Sequence, residues 1–286
     1  MGLAAALKEK LKLGRSEEQA EALKDIAKDF DVAEISKEDC GDCAYKDYPS
    51  SVNIEGGELL NSAPPTHAQI LVATGQHDWK HDISEEPALW GQVCRELGES
   101  LDDLKALAGG TVRINGTDME FDDDDETVTV VVLPQFIKIK TTPEKCVADV
   151  KAALQTKPGG SPPPGTTVLK DKGFVLLCSH RTRDKRCGVT APLIRDALCA
   201  ELRQEQLQSD LNDDDDEGGI KVALCNHVGG HKFAANVLIY KNDGTAVMFA
   251  RMRPMHANQL VQKAIIKDTV FPEHTRSCVK LESYEW

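Results

Sequence analysis

From Gly173 to Asp268 the hydrophobic pattern changes period in one fixed order, and that order restricts the fold more than any other feature of the sequence. "GFVLLCS" (173–179) is a continuous apolar run of buried-strand length, followed by the polar loop "HRTRDKRCGVT". "APLIRDALCAELRQEQL" then carries Leu193, Ile194, Ala197, Leu198 and Leu202 at helical spacing, with Pro192 near its start. "GIKVALC" is a second strand, "FAANVLIY" and "TAVMFARM" flank an Asn-Asp-Gly hairpin turn, and "HANQLVQKAIIKD" returns to helical spacing.

The first half repeats this order. "AQILVATG" is followed by the helix candidate "EPALWGQVCRELGESLDDLKALA", the strand "GTVRING", a strong strand "ETVTVVVLPQFIKIK" and the helix "PEKCVADVKAAL". A strand, a crossover helix, a parallel strand, a hairpin and a closing helix make the skeleton of the thioredoxin fold. The expected class is therefore α/β, with two thioredoxin-like domains. The boundary is placed at "QTKPGGSPPPGTT", too rich in Pro and Gly for helix or strand. That divides the chain into residues 1–155, a Pro/Gly linker at 156–166, and residues 167–286. The copies differ in chemistry: Thr74 stands where Cys178 stands, and the first half has no counterpart of the histidine pair described below.

A chain of 286 residues suits two domains, and no apolar run approaches the roughly 20 residues of a membrane span. Lys plus Arg total 34 against 47 acids, a net charge of -13 that argues against nucleic-acid binding. The start lacks the pattern of a secretory signal and is more acidic than a mitochondrial presequence, so the cytosol is expected and the mitochondrion is the alternative. "DDDDE", at 122–126 and again at 213–217, reads as solvated loop. Nine cysteines in such a chain suggest metal or redox chemistry rather than a disulfide framework.

If the second half folds as its pattern indicates, the loops at one end of its strands bring together Cys178, Cys187, His227 and His231. Cys-x8-Cys followed by His-x3-His is a four-ligand set. A metalloprotease helix is excluded because "HVGGH" places Gly229 and Gly230 between its imidazoles, each costing a helix about 1 kcal/mol. A phosphatase loop is excluded because residue 184 is Asp where Arg is needed. Tetrahedral zinc remains open, although Cys-x8-Cys is wider than the usual zinc knuckle. A [2Fe-2S] cluster with thiolates on one iron and imidazoles on the other is also open.

"CSHRTRDKRCG" and "HVGGHKFAANVLIY", with the looser matches "CGDC" and "ATGQHDWKHDI", resemble the fungal actin-patches-distal proteins of the sucrase/ferredoxin-like family. The resemblance implies a thioredoxin-like ferredoxin domain holding a [2Fe-2S] cluster by Cys178 and Cys187 on one iron and His227 and His231 on the other. It implies an electron carrier rather than a substrate-converting enzyme, supplied by a flavoprotein donor and linked to oxidant or xenobiotic tolerance and actin patch organisation. Imidazole on iron leaves one N–H free to titrate, so the midpoint potential is expected to rise as pH falls. The rival readings are a structural zinc-binding adaptor and a thiol oxidoreductase using Cys40 and Cys43.

Arg181, Arg183, Lys185 and Arg186 form a basic loop between the two thiols, read either as charge compensation and docking for an acidic donor or as a solvated loop. His180 and Cys225 adjoin the proposed ligands but are read as non-ligands. His77 and His81 are read as loop polars, and Trp79 and Trp90 as first-domain core. The terminal "YEW" resembles the tripeptide by which the cytosolic iron-sulfur assembly machinery recognises some of its clients, with Trp286 as the recognised residue and Tyr284 a departure at the first position.

Overall fold

The computed structural model describes residues 17–35, 45, 47–54, 56–121, 126–213, 215–216, 218–230 and 232–284. Cys40, Cys43, His231 and Trp286 lie outside the described residues. Helix α1 (Glu17–Ile26) and strand β1 (Asp31–Val32) precede β2 (Thr66–Ala73), α2 (Leu89–Glu99), α3 (Leu101–Ala108) and β3 (Thr111–Thr117). Then come β4 (Val128–Leu133), β5 (Ile137–Thr141), α4 (Cys146–Leu154), β6 (Thr167–Val168), β7 (Gly173–Cys178) and α5 (Lys185–Gln204). The chain continues through β8 (Gln208–Ser209), β9 (Ile220–Cys225), β10 (Val237–Lys241) and β11 (Thr245–Phe249). A short helix α6 (Ala257–Gln259) runs into a π-helical segment, Leu260–Ile265, ahead of β12 (Thr269–Val270) and β13 (Thr275–Lys280).

The protein is mixed α/β, built on one large mixed sheet. Its order is β13-β11-β10-β7-β9-β3-β2-β4-β5-β6, with β8 beside β9, while β1 and β12 pair separately. The same arrangement occurs twice. β2 and β7 each lie between the parallel strand that follows the crossover helix (β3, β9) and the first, antiparallel strand of a hairpin (β4, β10). The copies meet edge to edge where β3 runs antiparallel to β9 at Thr117 and Cys225.

Strand periodicity explains why both sheet faces are apolar. In β2, Ile70 and Val72 join one core cluster with Trp79, Trp90, Val93 and Leu97, while Leu71 and Ala73 join the other. That second cluster crosses the junction and includes Phe136, Phe174, Leu176, Leu224 and Phe249. The two tryptophans are thus core residues, as the sequence suggested. In the second acidic block, the described residues Asp213, Asp215 and Asp216 are exposed loop.

Three elements differ from the sequence reading. "ETVTVVVLPQFIKIK" is two strands, not one: Pro134 has no N–H to give a ladder, and Phe136 adopts a positive φ of 53° in the turn. The first crossover helix breaks at Ser100 into α2 and α3. Helix α5 begins at Lys185, capped by the Asp184 carboxylate on the Arg186 N–H, so Pro192 lies inside it and Cys187 occupies its first turn rather than a preceding loop.

After β11, His256 is buried, its Nδ1 accepts the Arg253 N–H at 3.3 Å, and the His274 ring lies 5.0 Å away, edge-on. Burial, then the neighbouring His274 and Arg253 charges, push His256 down to about 3 from 6.5. An unfolded chain therefore takes up a proton below pH 6.5 that the folded chain refuses. Stability is expected to fall by up to about 1.4 kcal/mol for each pH unit below that point. Urea unfolding of His256→Gln, which cannot titrate, should show a flatter acid limb than the parent chain.

Candidate metal centre

Cys178 ends β7 and Cys187 enters α5, so the strand-loop-helix connection folds back and sets the thiols against each other. Both are buried, each 1% exposed. The Cys178 sulfur accepts a hydrogen bond from the Cys187 thiol, with the His227 side chain and the His180 main chain also set against it. The Cys187 bond, reinforced by the other two against the opposing cost of burial, lowers Cys178 to about 5. The same bond, with burial, pushes Cys187 far up. The pair shares one proton, as one thiolate and one thiol.

His227 follows β9 on the loop 226–230 and is half-buried. Gly229 and Gly230 have φ of 87° and 77°, a left-handed backbone that no helix contains, which agrees with the non-helical reading of "HVGGH". Cys178, Cys187 and His227 are thus brought together, and the fourth predicted ligand, His231, lies outside the described residues.

His180 is held by two partners. Its Nε2–H donates to the Trp79 carbonyl at 2.9 Å, and its Nδ1 accepts the His227 N–H at 3.2 Å, which fixes the neutral Nε2–H tautomer. Burial lowers its proton affinity, and both of its nitrogens are engaged, tying the cysteine loop to the histidine loop. Cys225 is the ladder partner of Cys178 and wholly buried; burial, then the Cys178 charge, raise it well above its usual value, so it stays a thiol.

The sequence reading missed how the first half grips this centre. His77 and His81 are exposed loop residues, as read, but their main chain is used: the His77 carbonyl accepts from Ser179 Oγ at 2.8 Å, and the His81 carbonyl from Arg183 Nη1 at 2.6 Å. Between them, Asp78 accepts from the Thr182 N–H and hydroxyl, at 3.0 and 2.8 Å. The Trp79 ring meets the His180 ring at 5.8 Å, edge-on, and its Nε1–H donates to Thr74 Oγ1. Thr74, the counterpart of Cys178, has thus become an anchor for the tryptophan. The only advance sign was the "ATGQHDWKHDI" match.

The basic loop divides. Arg183 is spent on His81, and Arg186 pairs with Asp184 and reaches the Asn53 carbonyl, whereas Arg181 and Lys185 are exposed. Among the described residues no three His, Cys, Asp or Glu side chains stand where they could hold one metal ion. A dinuclear cluster divides four ligands between two irons and does not require three to meet at a point. Two buried thiols sharing a proton beside an imidazole are a donor set such a group fits, because binding displaces the remaining proton.

The model of the family described as "Suc_Fer-like: Sucrase/ferredoxin-like" matches residues 59–277, which span the 77–81 segment, the thiol pair and His227. The chain belongs to the sucrase/ferredoxin-like family. It is 32% identical over 257 residues to Actin patches distal protein 1 of Saccharomyces cerevisiae, covering 79% of this chain and 78% of that one. It is also similar to proteins named Altered inheritance of mitochondria protein 32. The one from Meyerozyma guilliermondii is 31% identical over 106 residues, 37% of this chain and 34% of its own length. The one from Saccharomyces kudriavzevii is 38% identical over 77 residues, 27% and 20% respectively. No solved structure matches the chain. No helix among the described residues is long and apolar enough to cross a membrane.

Proposed function

We propose that this member of the sucrase/ferredoxin-like family is a [2Fe-2S] electron-transfer protein, with Cys178 and Cys187 on one iron and His227 and His231 on the other. The observation that carries the reading is the buried Cys178–Cys187 pair, thiol against sulfur, beside His227. A second support is the repeated strand order, which suits two thioredoxin-like halves, the second a thioredoxin-like ferredoxin. When bound, the cluster supplies a one-electron couple.

The chain's own residues do the rest. Cys178 is held ready to lose its proton, the surrounding core excludes water, and the neutral His180 ties the cysteine loop to the histidine loop. Arg181 and Lys185, exposed at the rim of a protein of net charge -13, offer an acidic flavoprotein donor a local cationic landing point. The relative's name, "Actin patches distal protein 1", favours a cytosolic carrier serving actin-patch organisation or oxidant tolerance. The mitochondrial name of the shorter matches supplies the alternative location. Purified without oxygen, the chain is expected to be coloured and to hold about two irons and two acid-labile sulfides. A colourless chain with one zinc would instead establish the structural zinc adaptor.

We extend the proposal to delivery of the cluster by the cytosolic assembly machinery through Trp286. Tyr284, the departure from the tripeptide, is buried and donates its hydroxyl to the Thr156 carbonyl at 2.9 Å, so it is committed to the fold. Deleting Trp286 should lower the iron content of the chain made in cells while leaving its unfolding midpoint in place. Full iron content after deletion would refute this role.

A further inference from the structure

Two guanidiniums lie behind the histidine loop, one from each half of the protein. Arg113, on β3, donates Nη1–H to the Val228 carbonyl at 2.9 Å and Nε–H to Thr66 Oγ1, also at 2.9 Å. Arg276, on β13, donates Nη1–H to the Gly229 carbonyl at 2.9 Å and to Asn236 Oδ1 at 2.8 Å, and Nε–H to Ser62 Oγ at 3.2 Å. Asn115, two residues along β3 from Arg113, donates to Asn226 Oδ1 at 2.5 Å and, at longer range, to the Asn226 carbonyl at 3.4 Å and the His227 carbonyl at 3.3 Å. Every carbonyl from 226 to 229 is therefore taken by one of these three side chains. Gly230 fits the same lock, since a Cβ there would strike the Arg276 guanidinium.

The charges are as telling as the bonds. Arg276 is 2% exposed, with Phe233 stacked 5.1 Å from its guanidinium carbon, and Arg113 is half-buried. Among the described residues neither forms an ion pair with a carboxylate. Burial, followed by the charge of Arg113, pulls Arg276 down to about 10, which leaves it charged at neutral pH, and the negative charge that acts on it in return is that of Cys178. A buried cation costs several kcal/mol unless a negative group answers it. Arg276 meets only neutral oxygens, one of them on the loop that bears His227, so an anionic group held by that loop would answer its charge.

We propose that Arg113 and Arg276 are positioning residues of the centre: they fix the loop that bears His227 and favour whichever state of the centre carries more negative charge. The second part rests on the cluster reading; the first does not. The first half thereby contributes Arg113 and Asn115 to one loop and the 77–81 segment to the other.

The test compares Arg276→Lys, Arg276→Met and Arg113→Met with the parent chain, using two readouts. Hydrogen exchange of the 226–230 segment, measured on the metal-free chain, should accelerate about tenfold in both methionine variants, as expected for a lost hydrogen bond to a charged group. Dithionite titration of the loaded chain should give a lower midpoint potential in both methionine variants, with Arg276→Lys restoring most of it because it keeps the charge and loses only the fork. Should Arg276→Met fail to fold, Arg113→Met, at a half-buried site, carries both measurements. Unchanged exchange overturns the positioning role, and an unchanged potential with full iron content overturns the electrostatic one. A chain that never holds iron while its exchange accelerates contradicts the cluster reading and leaves the positioning role supported.

Discussion

Cys178→Ser is expected to leave a folded but colourless chain with nearly all of its iron lost, whereas Cys225→Ala should remain coloured. The contrast is sharp because the two cysteines are ladder partners on adjacent strands and equally buried. Serine nearly matches cysteine in size, so the core around β7 keeps its packing, but a hydroxyl does not ionise near neutral pH and is a poor ligand for iron. The thiolate character of Cys178, drawn out by Cys187 and His227, is what the substitution removes. Cys225, by contrast, is held as a thiol by burial, and the alanine deletes only a small apolar group. The measurements are visible absorption, iron content and a far-ultraviolet circular dichroism spectrum of each variant. Equal colour in the two variants would remove Cys178 from the ligand set.

Trp79→Ala should have the largest effect of any substitution in the first half, although Trp79 is not near any proposed ligand in sequence. Removing a buried Trp costs about 3–5 kcal/mol through lost burial and the cavity left behind. Here it also removes one of the three hydrogen bonds at Thr74 Oγ1 and takes away the edge contact that seats His180. His180 in turn holds the His227 N–H, so the loss reaches both loops of the centre. Urea unfolding should shift by that amount. Thiol titration of the folded metal-free chain should show Cys178 and Cys187 reacting faster than in the parent, because the loop between them has lost its anchor. A large stability loss with unchanged thiol reactivity would mean that Trp79 serves only its own core.

What the sequence disclosed about this centre followed from local pattern. The continuous apolar runs of β7 and β9 marked buried strands, Asn-Asp-Gly marked the β10–β11 turn, and the paired glycines marked the histidine loop as non-helical. The start of α5 was hidden although Asp184 is a proper cap, because Gly188 and Pro192 in the next two turns both argue against helix. The β4–β5 turn was hidden because Pro134-Gln135-Phe136 contains no glycine to announce it.

The grips on the two loops were hidden for a different reason. They reach across about fifty to more than a hundred residues and end on main-chain carbonyls, which any sequence supplies. Arg113 and Asn115 did leave a trace, since polar residues at alternate positions of "TVRING" put two hydrogen-bonding side chains on one face of a strand otherwise suited to burial. Arg276 left none: only the fold brings β13 behind a loop that begins some fifty residues earlier.

The central claim, a cluster divided between two cysteines and two histidines, is tested most directly by electron paramagnetic resonance of the dithionite-reduced chain beside its His227→Cys variant. A [2Fe-2S] centre predicts an S = 1/2 signal accounting for about one spin per two irons, with g-values that move in the variant as a thiolate replaces an imidazole. A silent spectrum from a chain that holds zinc, or a signal that the His227 substitution leaves unchanged, would contradict it.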